Sequence, residues 1–272
     1  MSSISRVFKE LAEKKEAAFM PYVACGDPNS EFTVELANTL IRNGADMLEF
    51  GIPFSDPIAD GPTIQNASAR ALNSGMNPLL AFEVAKKIRK QNPKTPIVVM
   101  TYYNLVMHNG VALFISKMKE AGLDGLIVPD VPIEESTELE LISRTNDLDF
   151  IHLITPRTED SRIKQIASRS SGFVYLVSVE GITGARENIQ ASALDLIRRV
   201  KSLSHGTIPL AMGFGISRPD HVRAIVQAGA DGVIIASKII DMYSKEISNP
   251  GSALQEIANF ARNMKAACLR PV

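Results

Sequence analysis

Glu49 and Asp60 are the carboxylates whose setting best suits proton transfer. Glu49 lies in Asp46-Met-Leu-Glu-Phe-Gly, between Leu48 and Phe50, where desolvation raises a carboxyl pKa toward neutrality. Asp60 follows on a loop, Gly51 to Pro62, with three prolines and two glycines in 12 residues. Such a run breaks backbone hydrogen bonding, yet Phe54, Ile58 and Ile64 offer apolar anchors, so a shaped loop rather than a linker is expected. Two carboxylates in unlike surroundings permit an acid/base division of labour. Each also has a plain structural reading: Glu49 as a strand-end residue paired with Lys or Arg, Asp60 as an Asx-turn residue before Gly61-Pro62. Asp56 reads equally as a turn former or a partner contact, and Asp27 and Asp130 as turn and cap residues.

A second constellation lies further on. Gly213-Phe214-Gly215-Ile-Ser217 and Ala236-Ser237 each lead into a helix, and backbone N–H groups beside small residues suit a phosphate. Before them in the chain, Glu180 to Asn188, with Thr183 and Gly184, reads as a lid that closes over a ligand or as an ordinary surface loop. Tyr22, Phe54, Tyr102, Leu126, Tyr175 and Phe214 fall at strand ends, as pocket wall or as core. His108, His152, His205 and His221 lack metal-ligand spacing, and no metal site is expected.

These groups need a scaffold that brings strand ends together. Apolar runs at Ala18 to Cys25, Ala45 to Phe50, Pro96 to Tyr102, Gly125 to Val128, Phe150 to Ile154, Phe173 to Val177, Ile208 to Met212 and Gly232 to Ile235 read as eight strands, with amphipathic helical patterns between them. Ser30 is placed to cap the first of these helices. Unbroken Val/Ile/Leu runs indicate parallel strands covered on both faces. Three times, at Gly44-Ala-Asp46, Gly122-Leu-Asp124 and Gly229-Ala-Asp231, a helix end passes through Gly-x-Asp into a strand. A single (β/α)8 TIM-barrel domain over residues 1–272 is therefore expected, with extra helices at Pro62 to Asn73, Pro78 to Gln91 and Gly251 to Ala267. Residues 3 to 16, amphipathic through Ile4, Val7, Phe8 and Leu11, suit a cap on the bottom of the barrel. In such barrels the reacting groups come from C-terminal strand ends, which is where Glu49 falls.

Composition narrows the partners. The 272 residues carry 29 basic and 30 acidic side chains, a net charge of -1, which leaves no electrostatic footprint for nucleic acid or an anionic membrane. Met1 to Glu16 lacks the apolar core of a signal peptide and no apolar run reaches membrane-spanning length, so a soluble cytoplasmic protein is expected. Cys25 and Cys268, the only cysteines, match no metal or redox spacing.

The stretch Glu49-Phe-Gly-Ile-Pro-Phe-Ser-Asp-Pro-Ile-Ala-Asp-Gly-Pro-Thr-Ile-Gln65 resembles the signature of the tryptophan synthase alpha chain family. The resemblance continues in order through Gly26-Asp-Pro, Tyr102-Tyr-Asn-Leu-Val, Val128-Pro-Asp-Val-Pro-Ile-Glu-Glu, Tyr175-Leu-Val-Ser, Gly181-Ile-Thr-Gly and Gly213-Phe-Gly-Ile-Ser. It implies a lyase of tryptophan biosynthesis that cleaves indole-3-glycerol phosphate to indole and glyceraldehyde 3-phosphate by a retro-aldol reaction. It assigns general acid/base work to Glu49 and the indole N–H to Asp60. Gly184, Gly213, Phe214, Gly215, Ala236 and Ser237 would bind phosphate, Thr183 would belong to the lid, and Tyr22, Tyr102 and Tyr175 would line the pocket. It further implies no cofactor in this chain and an α2β2 assembly with a beta chain that carries pyridoxal phosphate. The Asp56 loop, the region of Asn104 and the Pro129 to Ile133 turn would form the contact face. Tyr22 stands where the family commonly has phenylalanine and Ala236 where it has glycine. A catalytically weak phosphate-binding regulator of the beta chain, or another barrel enzyme acting on a phosphorylated sugar, are the alternatives.

Overall fold

Strands that are apolar on both faces need cover on both, and the chain supplies it by alternating strand with helix. The computed structural model describes residues 1–178, 191–213 and 215–270. Its strands are β1 (Ala18–Ala24), β2 (Leu48–Gly51), β3 (Ile97–Met100), β4 (Gly125–Ile127), β5 (Asp149–Ile151), β6 (Leu153–Ile154), β7 (Val174–Val177), β8 (Leu210–Gly213) and β9 (Gly232–Ile235). All the sheet pairings are parallel, in the order β5-β4-β3-β2-β1-β9-β8-β7-β6.

The expected fifth strand is divided. β5 pairs with β4 and β6 with β7, and only His152 separates them, so this one run closes the ring of a (β/α)8 barrel. The Tyr175 N–H donates to the His152 carbonyl at 3.0 Å, which carries the ladder across the break.

The helices that surround the ring are α1 (Ser3–Glu13), α2 (Ser30–Arg42), α3 (Pro62–Asn73), α4 (Pro78–Gln91), α5 (Tyr103–Asn109), α6 (Val111–Glu120), α7 (Thr137–Thr145), α8 (Asp160–Arg169), α9 (Ala191–Leu203), α10 (Pro219–Gln227), α11 (Ser237–Ser244) and α12 (Leu254–Ala266). α3, α4 and α12 fall at the segments expected as extra helices. α2 is capped differently from expectation: Asn29 is the N-cap, its side chain accepting the Phe32 N–H at 2.9 Å, and Ser30 is the first helical residue. Both residue types cap helices well, so spacing alone did not separate them.

Two apolar layers follow from strand alternation. Outward residues such as Leu48, Phe50, Val99 and Leu126 pack against the helices, while Met20, Met47, Val98, Ile127, Ile151, Phe173 and Ile234 fill the barrel interior. α1 seals the N-terminal end of that interior with Ile4, Phe8 and Leu11, and Phe8 meets Phe173 at 5.8 Å between ring centroids. Full burial of such side chains stabilises a fold by roughly 1.5–3 kcal/mol each.

The repeated Gly-x-Asp turns share one construction at this same end. Gly44, Gly122 and Gly229 adopt positive φ, which lets the chain leave a helix and enter a strand at once. The aspartate that follows clamps the neighbouring strand. Phe19 N–H donates to Asp46 at 2.8 Å, Ile97 N–H to Asp124 at 2.8 Å and Leu210 N–H to Asp231 at 3.1 Å. In return each aspartate N–H donates to the carbonyl of that same partner residue. A cation then pairs with each carboxylate: Lys265 with Asp46, Arg89 with Asp124 and Arg270 with Asp231.

Candidate functional site

Glu49 sits on the inward face of β2, in register with Tyr22 of β1 and Val98 of β3. Only 3% of it is exposed, and among the described residues its Oε1 has no hydrogen-bond partner. The structural alternative, a strand-end glutamate paired with Lys or Arg, is not what the fold builds: no ion pair involving Glu49 is found among the described residues. Burial, and then the nearby charge of Asp60, push the Glu49 carboxyl up to about 8.

Asp60 is delivered by the loop between β2 and α3. Pro62 opens α3 at a position where a missing N–H costs nothing. The Tyr102 hydroxyl donates to Asp60 Oδ2 at 2.8 Å and accepts the Ala59 N–H at 3.1 Å, so one phenol holds both the carboxylate and its loop. Phe54 stacks on Tyr102 at 5.2 Å, and the Gln65 side chain donates to the Asp60 carbonyl at 2.9 Å. Burial raises the Asp60 carboxyl to about 6, with the Tyr102 hydrogen bond opposing the rise. At neutral pH the pair is therefore split, Glu49 mainly protonated and Asp60 mainly ionised.

Two tyrosines complete the wall, each resting over a glycine of the next strand. A Cβ on Gly51 would lie 1.9 Å from the Tyr22 hydroxyl, and one on Gly213 would lie 2.4 Å from the Tyr175 hydroxyl. Both phenols are pushed well above their usual range by burial first and then by the charges of Asp60 and Glu49, so both remain protonated donors. Gly51, which in the sequence stands out only as a loop glycine, ends β2 and makes room for a residue on another strand.

Other positions read from the sequence fall as follows. Gly213 ends β8, Gly215 is exposed with a φ of 71°, and Ala236 and Ser237 lie at the start of α11, whose first-turn N–H groups lack intrahelical acceptors. Ala236 has a φ of -115°, so alanine is unstrained there and glycine is not required. Thr183, Gly184, Phe214 and the proposed lid from Glu180 to Asn188 lie outside the described residues. Leu126 is not a wall residue, since alternation along β4 turns it toward the helices. Ile58, expected as an anchor, is 82% exposed, whereas Phe54 stacks on Tyr102 and Ile64 is buried. Asp130 is a cap, as expected, accepting the Tyr103 N–H that opens α5. Asp27 does more than turn the chain: it is fully buried against Arg70.

A family model described as "Tryptophan synthase alpha chain" matches residues 8–269. The chain belongs to the tryptophan synthase alpha chain family. A relative of that name from Methanocaldococcus jannaschii is 48% identical over 253 residues, covering 93% of this chain and 89% of that protein. One from Yersinia enterocolitica is 41% identical over 98% of this chain and 99% of its own length. Among solved structures, the tryptophan synthase alpha chain from Legionella pneumophila superposes with a TM-score of 0.89 at 30% identity, covering 98% of this chain and 97% of that one. A chain from the structure of Mycobacterium tuberculosis tryptophan synthase gives 0.89 at 31%, with 99% of each chain covered.

Among the described residues no cluster of three or more His, Cys, Asp or Glu side chains could hold a metal ion, and no helix is long and apolar enough to cross a membrane.

Proposed function

We propose that this chain, working as a single barrel domain, cleaves indole-3-glycerol phosphate to indole and glyceraldehyde 3-phosphate in tryptophan biosynthesis, with Glu49 and Asp60 dividing the proton chemistry. The observation that carries this reading is the buried, unpartnered carboxyl of Glu49, raised to about 8, beside an Asp60 held at about 6.

The steps balance without water. Protonated Glu49 gives its proton to indole C3, and ionised Asp60 accepts the indole N–H and stabilises the positive charge that appears on the ring. The Glu49 carboxylate then removes the proton of the hydroxyl on the adjacent glycerol carbon. The carbon–carbon bond breaks, its electrons restore the aromatic indole, and the glycerol carbon becomes the aldehyde. Glu49 ends protonated, ready for another turnover. Acid/base assistance of this kind typically contributes about 10²- to 10⁴-fold.

Tyr22, Tyr102 and Tyr175 would bound the indole, and Gly184, Gly213, Phe214, Gly215, Ala236 and Ser237 would receive the phosphate, with Thr183 in the covering loop. α11 would contribute its positive end there, worth roughly 0.3–1 kcal/mol per exposed charge. The chain would need no cofactor of its own and would act in the cytoplasm. Its partner is a tryptophan synthase beta chain, which carries pyridoxal phosphate and receives the indole, in an α2β2 assembly. The contact face would include Asp56, exposed Ile58, the Asn104 region and the Pro129–Ile133 turn. Asp130 joins the last two by its hydrogen bond to the Tyr103 N–H. An indole-release assay on the purified chain, with and without a beta chain, tests the reading: turnover that rises on addition of the beta chain is expected, and no indole in either arm overturns it.

A further inference from the structure

Asp27 is the most completely buried carboxylate at this end of the barrel, at 0% exposure, and the proposed proton chemistry makes no use of it. It follows β1, while its partners come from two helices that are distant in sequence. Arg70 of α3 grips it with both arms, Nε to Oδ1 and Nη2 to Oδ2, each at 2.7 Å. The Tyr243 hydroxyl of α11 donates to the same Oδ2 at 2.7 Å. Arg70 Nη2 also donates to Ser244 Oγ at 3.1 Å, and Thr63 Oγ1 to Asp241 Oδ1 at 3.2 Å, so α3 and α11 are bound directly as well.

The placement of these helices gives the cluster its meaning. α3 grows out of the loop that carries Asp60, and its Gln65 side chain holds the Asp60 carbonyl. α11 begins at Ser237, in the turn assigned to phosphate. We infer that Asp27, Arg70 and Tyr243 are positioning residues that fix the spacing between the carboxylate end and the phosphate end of the site. This rests on the function proposed above. None of the three needs to touch substrate. Their effect is to make one rigid frame from three loops, so that a ligand spanning both ends meets each at its correct distance. Misplacement by about 1 Å can cost on the order of 10²-fold in rate.

The consequence is specific to ligands that span. A bidentate guanidinium and a buried phenol act through geometry, so Arg70→Lys keeps the charge but loses the fork, and Tyr243→Phe keeps the ring but loses one donor. Three probes separate the cases: indole alone, inorganic phosphate alone, and a non-cleavable analogue joining indole to phosphate through a saturated three-carbon chain. Calorimetric titration of both variants should show the fragments binding as in the unmodified chain and the analogue weakened about 10-fold, with kcat falling in step. Equal weakening of fragments and analogue would reduce the cluster to a general support of the fold, and undiminished analogue binding in both variants would remove it from the site; either overturns the inference. Tyr243→Phe, the smaller change, carries the test if Arg70→Lys fails to fold. If the unmodified chain bound neither fragment, it is the proposed function that would fail, and the inference with it.

Discussion

Two sets of carboxylates, one at each end of the barrel, are held in opposite ways. At the N-terminal ends of the strands, Asp46, Asp124 and Asp231 each accept a strand N–H and each face a cation. At the C-terminal ends, Glu49 has an oxygen with no partner and Asp60 has a phenol in place of a cation. The half-buried carboxylates of the first set are satisfied and hold the fold together, while Glu49 and Asp60 retain capacity for a ligand. A buried acceptor without a partner costs about 1–3 kcal/mol. The fold offsets that cost elsewhere, and the difference between the two sets is what the proposed chemistry would use.

The sharpest way to break this comparison is Glu49→Gln. Indole release should fall by about 10²- to 10⁴-fold, while binding of inorganic phosphate stays intact; near-normal turnover would remove Glu49 from the mechanism. Stability should move the other way. The folded pKa of about 8 exceeds the ordinary value of 4.5, so the fold favours the protonated form. That preference is fully present below 4.5 and is lost as pH rises through about 8. Urea unfolding at pH 9 should therefore find the glutamine variant more stable than the unmodified chain, by up to a few kcal/mol (~1.4 per pKa unit), with the gap closing toward pH 4.

Asp124→Asn tests the other end. It weakens the clamp on Ile97 and leaves the Arg89 guanidinium without its counter-charge, so a loss of about 2–3 kcal/mol in unfolding free energy is expected with kcat unchanged. A large loss of kcat at full folding would mean that the ends are not functionally separate.

The pH profile sharpens the picture further. The proposed mechanism needs Asp60 ionised and Glu49 protonated, so kcat/KM should be bell-shaped, with limbs near 6 and 8 that belong to the pair as a whole. Tyr102→Phe removes the hydrogen bond that lowers the Asp60 pKa and should move the acid limb to higher pH. An unmoved limb would show that Tyr102 does not set it. Smallest of all is Lys119→Ala: Lys119 and Asp147 form an exposed pair, and their loss should change stability by about 0.5 kcal/mol or less. A larger effect would show that charge pairing alone, without burial and a strand N–H, stabilises that end.

Much of this was legible in the sequence because it is written in local patterns. Gly-x-Asp before an apolar run fixes a turn and a strand start together, and unbroken Val/Ile runs spaced by amphipathic helices leave few architectures open. Glu49 stood out because charge is rare within such a run. What stayed hidden depends on residues far apart in the chain. Tyr102 could be placed in the pocket wall, but not as the donor to Asp60. Asp27 looked like a turn residue because neither Arg70 nor Tyr243 is near it in sequence. Ile58 looked like an anchor because hydrophobicity alone does not tell which way a proline-rich loop turns its side chains. The break at His152 gave no signal, since the run it interrupts is continuous as sequence.

The contact of Tyr22 with Gly51 has one more consequence. Side-chain volume at these two positions is a shared quantity: whatever is added at 51 must be subtracted at 22, or the phenol is displaced. A search for altered substrate range that varies Tyr22 alone explores only half of the available shapes. The other half opens when both positions change together, and the same reciprocity holds between Tyr175 and Gly213 on the far side of the pocket.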